Sequence, residues 1–308
     1  MPKTLLLIVG PTGVGKTELA LRMAEHWHCP IISCDSRQMY REIPIGTAAP
    51  TAEEQRRVKH YFVGDRSITE DYNAGQYERD ALALMDQLFA AHDTLIMTGG
   101  SMLYADAVCN GLDDLPAVPD AMRAHVNEQH AKHGLAWLQQ EVQRLDPNYW
   151  TIVDQNNPAR LKHCVELCLA TGSAYSSLRT QPHKERPFRI VKVGLDRPRA
   201  ELYARINERV LQMMEEGLLQ EAEKVYAQRH LNSLQTVGYR ELFGYLSGEY
   251  DLDRAIELIQ QNSRHYAKRQ LTWFRRDSDI HWLDARNDYE TNIHCIDGLL
   301  DDDCVQAE

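Results

Sequence analysis

The sequence predicts an α/β protein in which a parallel sheet carries a phosphate-binding loop and an all-helical block is inserted into the chain. Three observations carry that expectation. A short apolar run near the N-terminus leads directly into a glycine-rich loop and then an amphipathic stretch. Further apolar runs follow at the rhythm of strand–helix–strand units, which close right-handed and build parallel sheets. Residues 111–186, by contrast, offer helical patterns and no convincing strand.

Taken in order, Thr4–Val9 reads as a buried parallel strand, being apolar throughout and stopped by Gly10. Lys16–His28 places apolar residues at 19, 20, 23, 24 and 27, the stripe of an amphipathic helix. Pro30–Cys34 is the next strand and ends at Asp35, and Thr94–Thr98 is another, ending at Gly99-Gly100. Met102–Cys109 reads as the helix after it. In the insertion, one helix runs from Pro119 or Asp120 to His133 and stops at Gly134, and a second spans Ala136–Leu145 before Pro147. A third is punctuated at both ends, with Asn157 as N-cap, Pro158 in the first turn and Gly172 past the end. Hinges are expected at 111–119 and 181–187. The core resumes with a strand at Arg189–Leu195 and a long helix from Arg199 to Glu216, stopped by Gly217. The expected division is therefore 1–110 with 187–308 for the core, helical towards its end, and 111–186 for the insertion.

Composition fits a globular protein: 43% of residues are apolar and 26% charged, with a mean hydropathy of −0.50. The longest plain apolar run, Leu5–Val9, has five residues, far below the roughly 20 of a membrane span. No membrane partner is expected. The seven cysteines have no paired spacing, which predicts free thiols in a reducing, cytoplasmic setting. Net charge is −11, which at first argues against a nucleic-acid partner. Its distribution qualifies that. Residues 277–308 hold ten acids against Arg286, so the rest of the chain is nearly neutral. Arg160–Lys192 carries seven Lys/Arg against two Glu, and Arg264–Arg276 five Lys/Arg with Tyr266, Trp273 and Phe274 interleaved. On charge alone these are solvated faces and an acidic tail; a polyanion partner is permitted but not established.

Gly10-Pro11-Thr12-Gly13-Val14-Gly15-Lys16-Thr17 fits G-x-x-x-x-G-K-[ST] between a strand and a helix, the context that the motif requires. This makes the core P-loop NTPase-like. Successive backbone N–H groups and the helix N-terminus form an anion site, Lys16 adds a charge, and the Thr17 hydroxyl is a ligand for Mg²⁺. The loop binds a diphosphate or a nucleotide, as ATP-binding proteins do, without saying which. No Asn-Lys-x-Asp element of GTPases is present, and the strand Leu95–Thr98 ends without the acid of a Walker-B strand. The acid stands instead at the end of the second strand, as Asp35. Ligands bind beyond the carboxyl ends of parallel strands, so Asp35 faces what the loop holds. There it accepts a proton from an attacking group or shares the metal; on spacing alone it could equally cap the next helix.

The motifs Gly10–Thr17, Asp35-Ser-x-Gln-x-Tyr40, Ile45-Gly-Thr-Ala48, Gly99-Gly-Ser-Met-Leu-Tyr104, Val237-Gly-Tyr-Arg240 and Lys268-Arg-Gln-x-Thr-Trp273 occur in this order. Together they resemble the tRNA dimethylallyltransferase family, from Leu5 to about Leu283. The resemblance implies transfer of a dimethylallyl group from dimethylallyl diphosphate to N6 of adenine 37 in tRNA, with Mg²⁺, by a monomeric cytoplasmic enzyme. It implies catalytic roles for Thr12, Lys16, Arg205 and the base Asp35. It further implies RNA contacts at Asp35, Ser36, Arg37 and Gln38, at Ser101 and Arg123, and at Ala159, Arg160, Leu161, Lys162 and His163. Gln235, Gly238, Tyr239, Arg240, Lys268, Arg269, Gln270 and Arg275 complete that set. Arg and Lys would grip the phosphates of a single-stranded loop while aromatics stack its bases, and the adenine would be flipped out to present N6.

Departures from the family pattern are Ala49, where a lysine is usual, and Ser101, which keeps the hydroxyl of the usual threonine. Cys295 and Cys304 lack zinc-finger spacing, and Cys164 and Cys168, one helical turn apart, read as buried thiols. Two other classes share parts of the pattern. A small-molecule or nucleotide kinase would use the loop, Mg²⁺ and an activating acid with the helices as a lid. A non-catalytic RNA-binding ATPase would use the loop as a switch.

Overall fold

The computed structural model describes residues 3–179 and 184–305, with side chains as far as Asp301. Part of the expected 181–187 hinge, and the side chains of Asp302, Asp303, Cys304 and Glu308, lie outside the described residues. In chain order the first elements are β1 (Thr4–Val9), α1 (Lys16–His26), β2 (Ile31–Ser33), α2 (Ala52–Arg57), β3 (His60–Tyr61), α3 (Ala74–Phe89), β4 (Thr94–Thr98) and α4 (Met102–Cys109). Then come α5 (Asp120–Leu145), α6 (Pro147–Trp150), α7 (Pro158–Thr171) and α8 (Tyr175–Leu178). The chain continues through β5 (Arg189–Asp196), α9 (Arg199–Glu215), α10 (Leu218–Val225), α11 (Tyr239–Leu246), α12 (Leu252–Phe274), β6 (Ile280–Asp284) and α13 (Tyr289–Val305).

Two compact units result: residues 1–109 with 185–308, and residues 110–184. In the first, all neighbouring strands pair in parallel, in the order β3-β2-β4-β1-β5-β6. The sheet grows to one side of β1 with β4, β2 and β3 and to the other with β5 and β6. β1 is therefore the point where strand order reverses, and the crevice at its carboxyl end is where such sheets bind ligands. β1 is buried at every position because helices cover both faces. Its Leu6 and Ile8 share one core with Leu19 and Met23 of α1, Val193 of β5 and Ile206 of α9.

The acid-rich C-terminal stretch is not a solvated tail. Its first part is β6, paired to β5, and its second is α13, whose Ile293 and Ile296 are buried in the same core. Arg189 donates to the carbonyls of Leu299 and Leu300, and Trp27 Nε1 to Asp297. The basic stretch 160–192 is corrected likewise. Arg186 is buried, donating to Glu78 at 2.8 Å and to the carbonyls of Ala107 and Val108. Lys192 pairs with Asp277 at 2.7 Å. These cations hold the core together.

The second unit has its own core, built from Val126, Leu138 and Val142 of α5 with Leu161, Cys164 and Cys168 of α7. α5 runs through the two helices expected from sequence, and Gly134, at φ 69°, breaks them. Asn157 caps α7 through the Arg160 amide, and Gly172 (φ 70°) ends it. The Cys164 and Cys168 sulfurs lie 3.9 Å apart, with Asp146 within ligand reach. That carboxylate accepts from the Tyr149 amide and from the amide and hydroxyl of Ser176, so it serves as the turn's anchor. Among the described residues no helix is long and apolar enough to cross a membrane.

Candidate active site

Three strand ends in the first unit build the site. After β1, Gly10 turns at φ 145°, where a Cβ would sit 2.6 Å from the Leu195 carbonyl oxygen; no larger residue fits. Gly13 and Gly15 follow at φ 80° and 119°, the conformations that turn successive amides into a concave nest. The nest opens α1, whose first-turn N–H groups and dipole favour an anion. Lys16 Nζ donates to the carbonyls of Gly10 and Pro11, at 2.9 and 2.8 Å.

After β2, Asp35 accepts the Arg37 amide at 2.9 Å, an Asx turn that fixes its carboxylate. After β4, Gly99 approaches so closely that a Cβ would meet the Cys34 carbonyl carbon at 2.6 Å and the Asp35 nitrogen at 2.8 Å. That contact locks the second strand end to the third. Ser101 then accepts the Ser36 amide at 2.8 Å and bonds the Ser36 hydroxyl at 2.9 Å.

Helix α9 backs the loop. Arg205 donates to the Gly13 carbonyl at 2.9 Å, and Ile206 packs on Gly13. Arg209, one turn on, points into a pocket of about 470 Å³ that also receives Thr12, Lys16, Thr17 and Asp35. Burial, reinforced by Arg209, lowers Lys16 to about 8, while Asp35 pulls it back up. Burial also lowers Arg209, and Asp35 again opposes. Two crowded cations facing one carboxylate form a site that gains by taking up a polyanion. Apolar lining comes from Ile206, Val210, Met213, Leu218 and Ile259.

Thirteen of the residues expected at the site line this pocket: Thr12, Lys16, Thr17, Asp35, Ser36, Arg37, Gln38, Ser101, Gln235, Gly238, Arg240, Arg269 and Gln270. Arg205 stands at the loop but outside the lining. Lys268 and Arg275 face a separate groove with Tyr203 and Trp282, where Arg275 pairs with Asp196 at 2.6 Å. Trp273, one of the aromatics interleaved in the basic stretch, is exposed.

Burial sets three of these side chains apart from the rest. Tyr239 is fully buried and donates to Glu221, which also accepts the Ile45 and Gly46 amides at 2.9 and 2.8 Å. It holds the 45–48 loop at the pocket rim, and its ring is enclosed by the protein. Gln270 is 1% exposed with both side-chain amide ends engaged inside the protein. In the second unit, Leu161 is a core residue, whereas Arg123, Ala159, Arg160 and His163 are exposed and Lys162 donates to Asn127. Arg123 of α5 bears electrostatically on His163 and Glu166 of α7.

Arg209 is the site residue the sequence reading missed. The available signal was its spacing, four residues after Arg205 on a helix whose Ile206 and Val210 turn inward.

A phosphate cradle at the switch point of a parallel sheet, with a carboxylate across the pocket, defines a P-loop group-transfer enzyme. The profile of the IPP transferase family matches residues 38–277. A tRNA dimethylallyltransferase of Bacteroides fragilis is 55% identical over 288 residues, 94% of this chain and 96% of that one. One from Phocaeicola vulgatus is 53% identical over 298 residues, covering 96% and 99%. The solved tRNA isopentenylpyrophosphate transferase of Bacillus halodurans superposes with a TM-score of 0.72 at 34% identity, over 97% of this chain and 95% of that one. The chain belongs to the IPP transferase family, that of the tRNA dimethylallyltransferases.

Proposed function

We propose that the chain transfers a dimethylallyl group from dimethylallyl diphosphate to N6 of adenine 37, beside the anticodon of tRNA. One observation carries the reading: a diphosphate cradle with two cations opens onto the same pocket as the Asp35 carboxylate. The N6 nitrogen attacks the first carbon of the allyl group, and the carbon–oxygen bond breaks. Its electron pair leaves with diphosphate, and the N6 proton passes to Asp35. Charge grows on the departing diphosphate as the bond lengthens, so the loop amides, Lys16 and Arg209 stabilise the transition state more than the bound donor. Arg205, tied to Gly13, holds the loop in shape. The apolar lining suits the five-carbon group.

The donor set also fits Mg²⁺: the Thr17 hydroxyl and Asp35 carboxylate are hard oxygen ligands, and phosphate oxygens complete such a shell. The ion would add charge neutralisation at the leaving oxygens. A prenyl donor has no base or ribose, so ATP should compete weakly. The match to the IPP transferase profile favours this reading over the kinase and the ATPase switch. A cytoplasmic monomer accords with a tRNA substrate.

The test is incubation with total tRNA and either labelled dimethylallyl diphosphate or labelled ATP. Label should enter tRNA from the prenyl donor, and AMP should not replace tRNA as acceptor. Asp35→Asn should bind donor and tRNA normally while turnover falls by ~10²–10⁴. Normal turnover in that variant, or phosphoryl transfer from ATP, would remove the reading.

A further inference from the structure

We infer that Gln270 is a positioning residue, fixing the diphosphate cradle to the strand-end turn that orders the acceptor side. The inference rests on the proposed transfer reaction for what the two sides hold. Its observations stand apart from that reaction. Gln270 lies on α12, 1% exposed, among residues that otherwise form a basic stretch. Its Oε1 accepts the backbone N–H of Thr12 at 2.8 Å. Its Nε2 donates to the backbone carbonyl of Gly100, also at 2.8 Å. One helical turn earlier, the Tyr266 hydroxyl donates to the same Gly100 carbonyl at 3.1 Å. A Cβ at Gly100 would stand 2.6 Å from Gln270 Nε2, so glycine is required for this approach.

An amide is suited to this place because it offers one acceptor and two donors on a planar group. Its orientation follows from its partners, since the flipped amide would set nitrogen against N–H and oxygen against carbonyl. Both partners are backbone groups of functional loops. Thr12 belongs to the phosphate loop. Gly100 precedes Ser101, whose hydroxyl holds the Ser36 amide beside Asp35. A single buried side chain thus bridges the loop after β1 and the turn after β4, and with them the spacing between leaving group and base. A reaction that needs in-line attack across that gap is sensitive to displacements of about 1 Å.

Gln270→Glu separates this role from RNA contact and from bulk stability. Above the pKa of the introduced carboxyl, its oxygens accept from Thr12 but repel the Gly100 carbonyl. Once protonated, the group again accepts at one oxygen and donates at the other. Burial raises the introduced carboxyl above its ordinary range, so the ratio of variant to wild-type kcat should be about 0.01–0.1 at pH 8 and climb towards 1 as pH falls to 5.5. Affinity for tRNA should stay within about twofold throughout, because the side chain is 1% exposed and both its amide ends are held by backbone groups. Inorganic diphosphate, titrated alone, should bind more weakly to the variant at pH 8 than at 5.5, relative to wild type. That arm holds even if the wild type transfers no prenyl label, so the two readings fail separately. A kcat ratio near 1 at pH 8, or a loss confined to tRNA affinity at unchanged kcat, would overturn the inference. So would a low ratio that ignores pH, which would mark a structural role only. Gln270→Leu, of similar volume with neither hydrogen bond, should be low at every pH.

Discussion

Lys16 shows how a single residue is tuned by its surroundings. Its ammonium is buried beside Arg209, and both effects favour losing the proton, giving a value of about 8. Below pH 8 the free protein presents a charged Lys16 to the diphosphate; above it the amine is neutral. A bound diphosphate favours the ammonium, so binding above pH 8 must take up a proton. The dissociation constant should therefore be flat from pH 6.5 to 7.5. It should then rise by up to about tenfold per pH unit, with proton uptake visible as a buffer-dependent heat. Arg209→Ala should remove the neighbour that depresses Lys16, moving the break in this profile upward. It should also weaken diphosphate binding by roughly 1.5–3 kcal/mol, the worth of a charge-assisted contact. A variant with unchanged break and unchanged affinity would place Arg209 outside the cradle.

At the scale of elements, α13 carries the sharpest revision. Read for charge, its stretch is a tail that could be removed after Asp288 without loss. In the fold, Ile293 and Ile296 enter the central core, Arg189 holds the carbonyls of Leu299 and Leu300, and Arg22 stacks over Tyr289 at 4.3 Å. Two buried isoleucines contribute on the order of 3–6 kcal/mol. Truncation after Asp288 should thus lower Tm by roughly 5–10 °C, measured by thermal unfolding. A truncated chain with unchanged Tm would return the stretch to a tail. The apolar spacing at 293, 296, 299 and 300 was present in the sequence, but Asp301-Asp302-Asp303 beside it masked the signal. Other elements were legible because local rules decide them: β1, β4 and α4 have the bounds expected from apolar runs stopped by glycine, and α7 from its caps. β3 was not, since its two residues are a strand only by pairing with β2. The site divides in the same way. The loop, Asp35 and Ser101 were legible as motifs. The inward turn of Gln270 and Arg209 was not, because burial of a polar side chain depends on neighbours distant in sequence.

For the molecule as a whole, the question is how a chain of net charge −11 holds a polyanion. Regional charge counts overstate the available cations. Of the basic stretch 160–192, Arg186 and Lys192 are consumed by Glu78 and Asp277 inside the core unit, and Arg189 by helix α13. Arg160 is exposed in the insertion, and Lys268 is exposed on α12. The two classes should respond oppositely to substitution. If tRNA is gripped at Arg160 and Lys268, each contact releases condensed cations, and affinity falls with salt at a slope of about −0.7 to −0.9 per phosphate. Arg160→Ala and Lys268→Ala should each flatten the slope by about one unit and leave Tm unchanged. Arg186→Ala should do the reverse, because Glu78 and two carbonyls would lose a buried partner. The expected loss is about 3–5 kcal/mol of stability, with the salt slope of the remaining folded protein unaltered. tRNA affinity against salt, measured beside thermal unfolding for these three variants, separates the classes. Unchanged slopes in Arg160→Ala and Lys268→Ala would mean that the RNA docks elsewhere. A flattened slope in Arg186→Ala would mean that the buried pair opens when RNA binds.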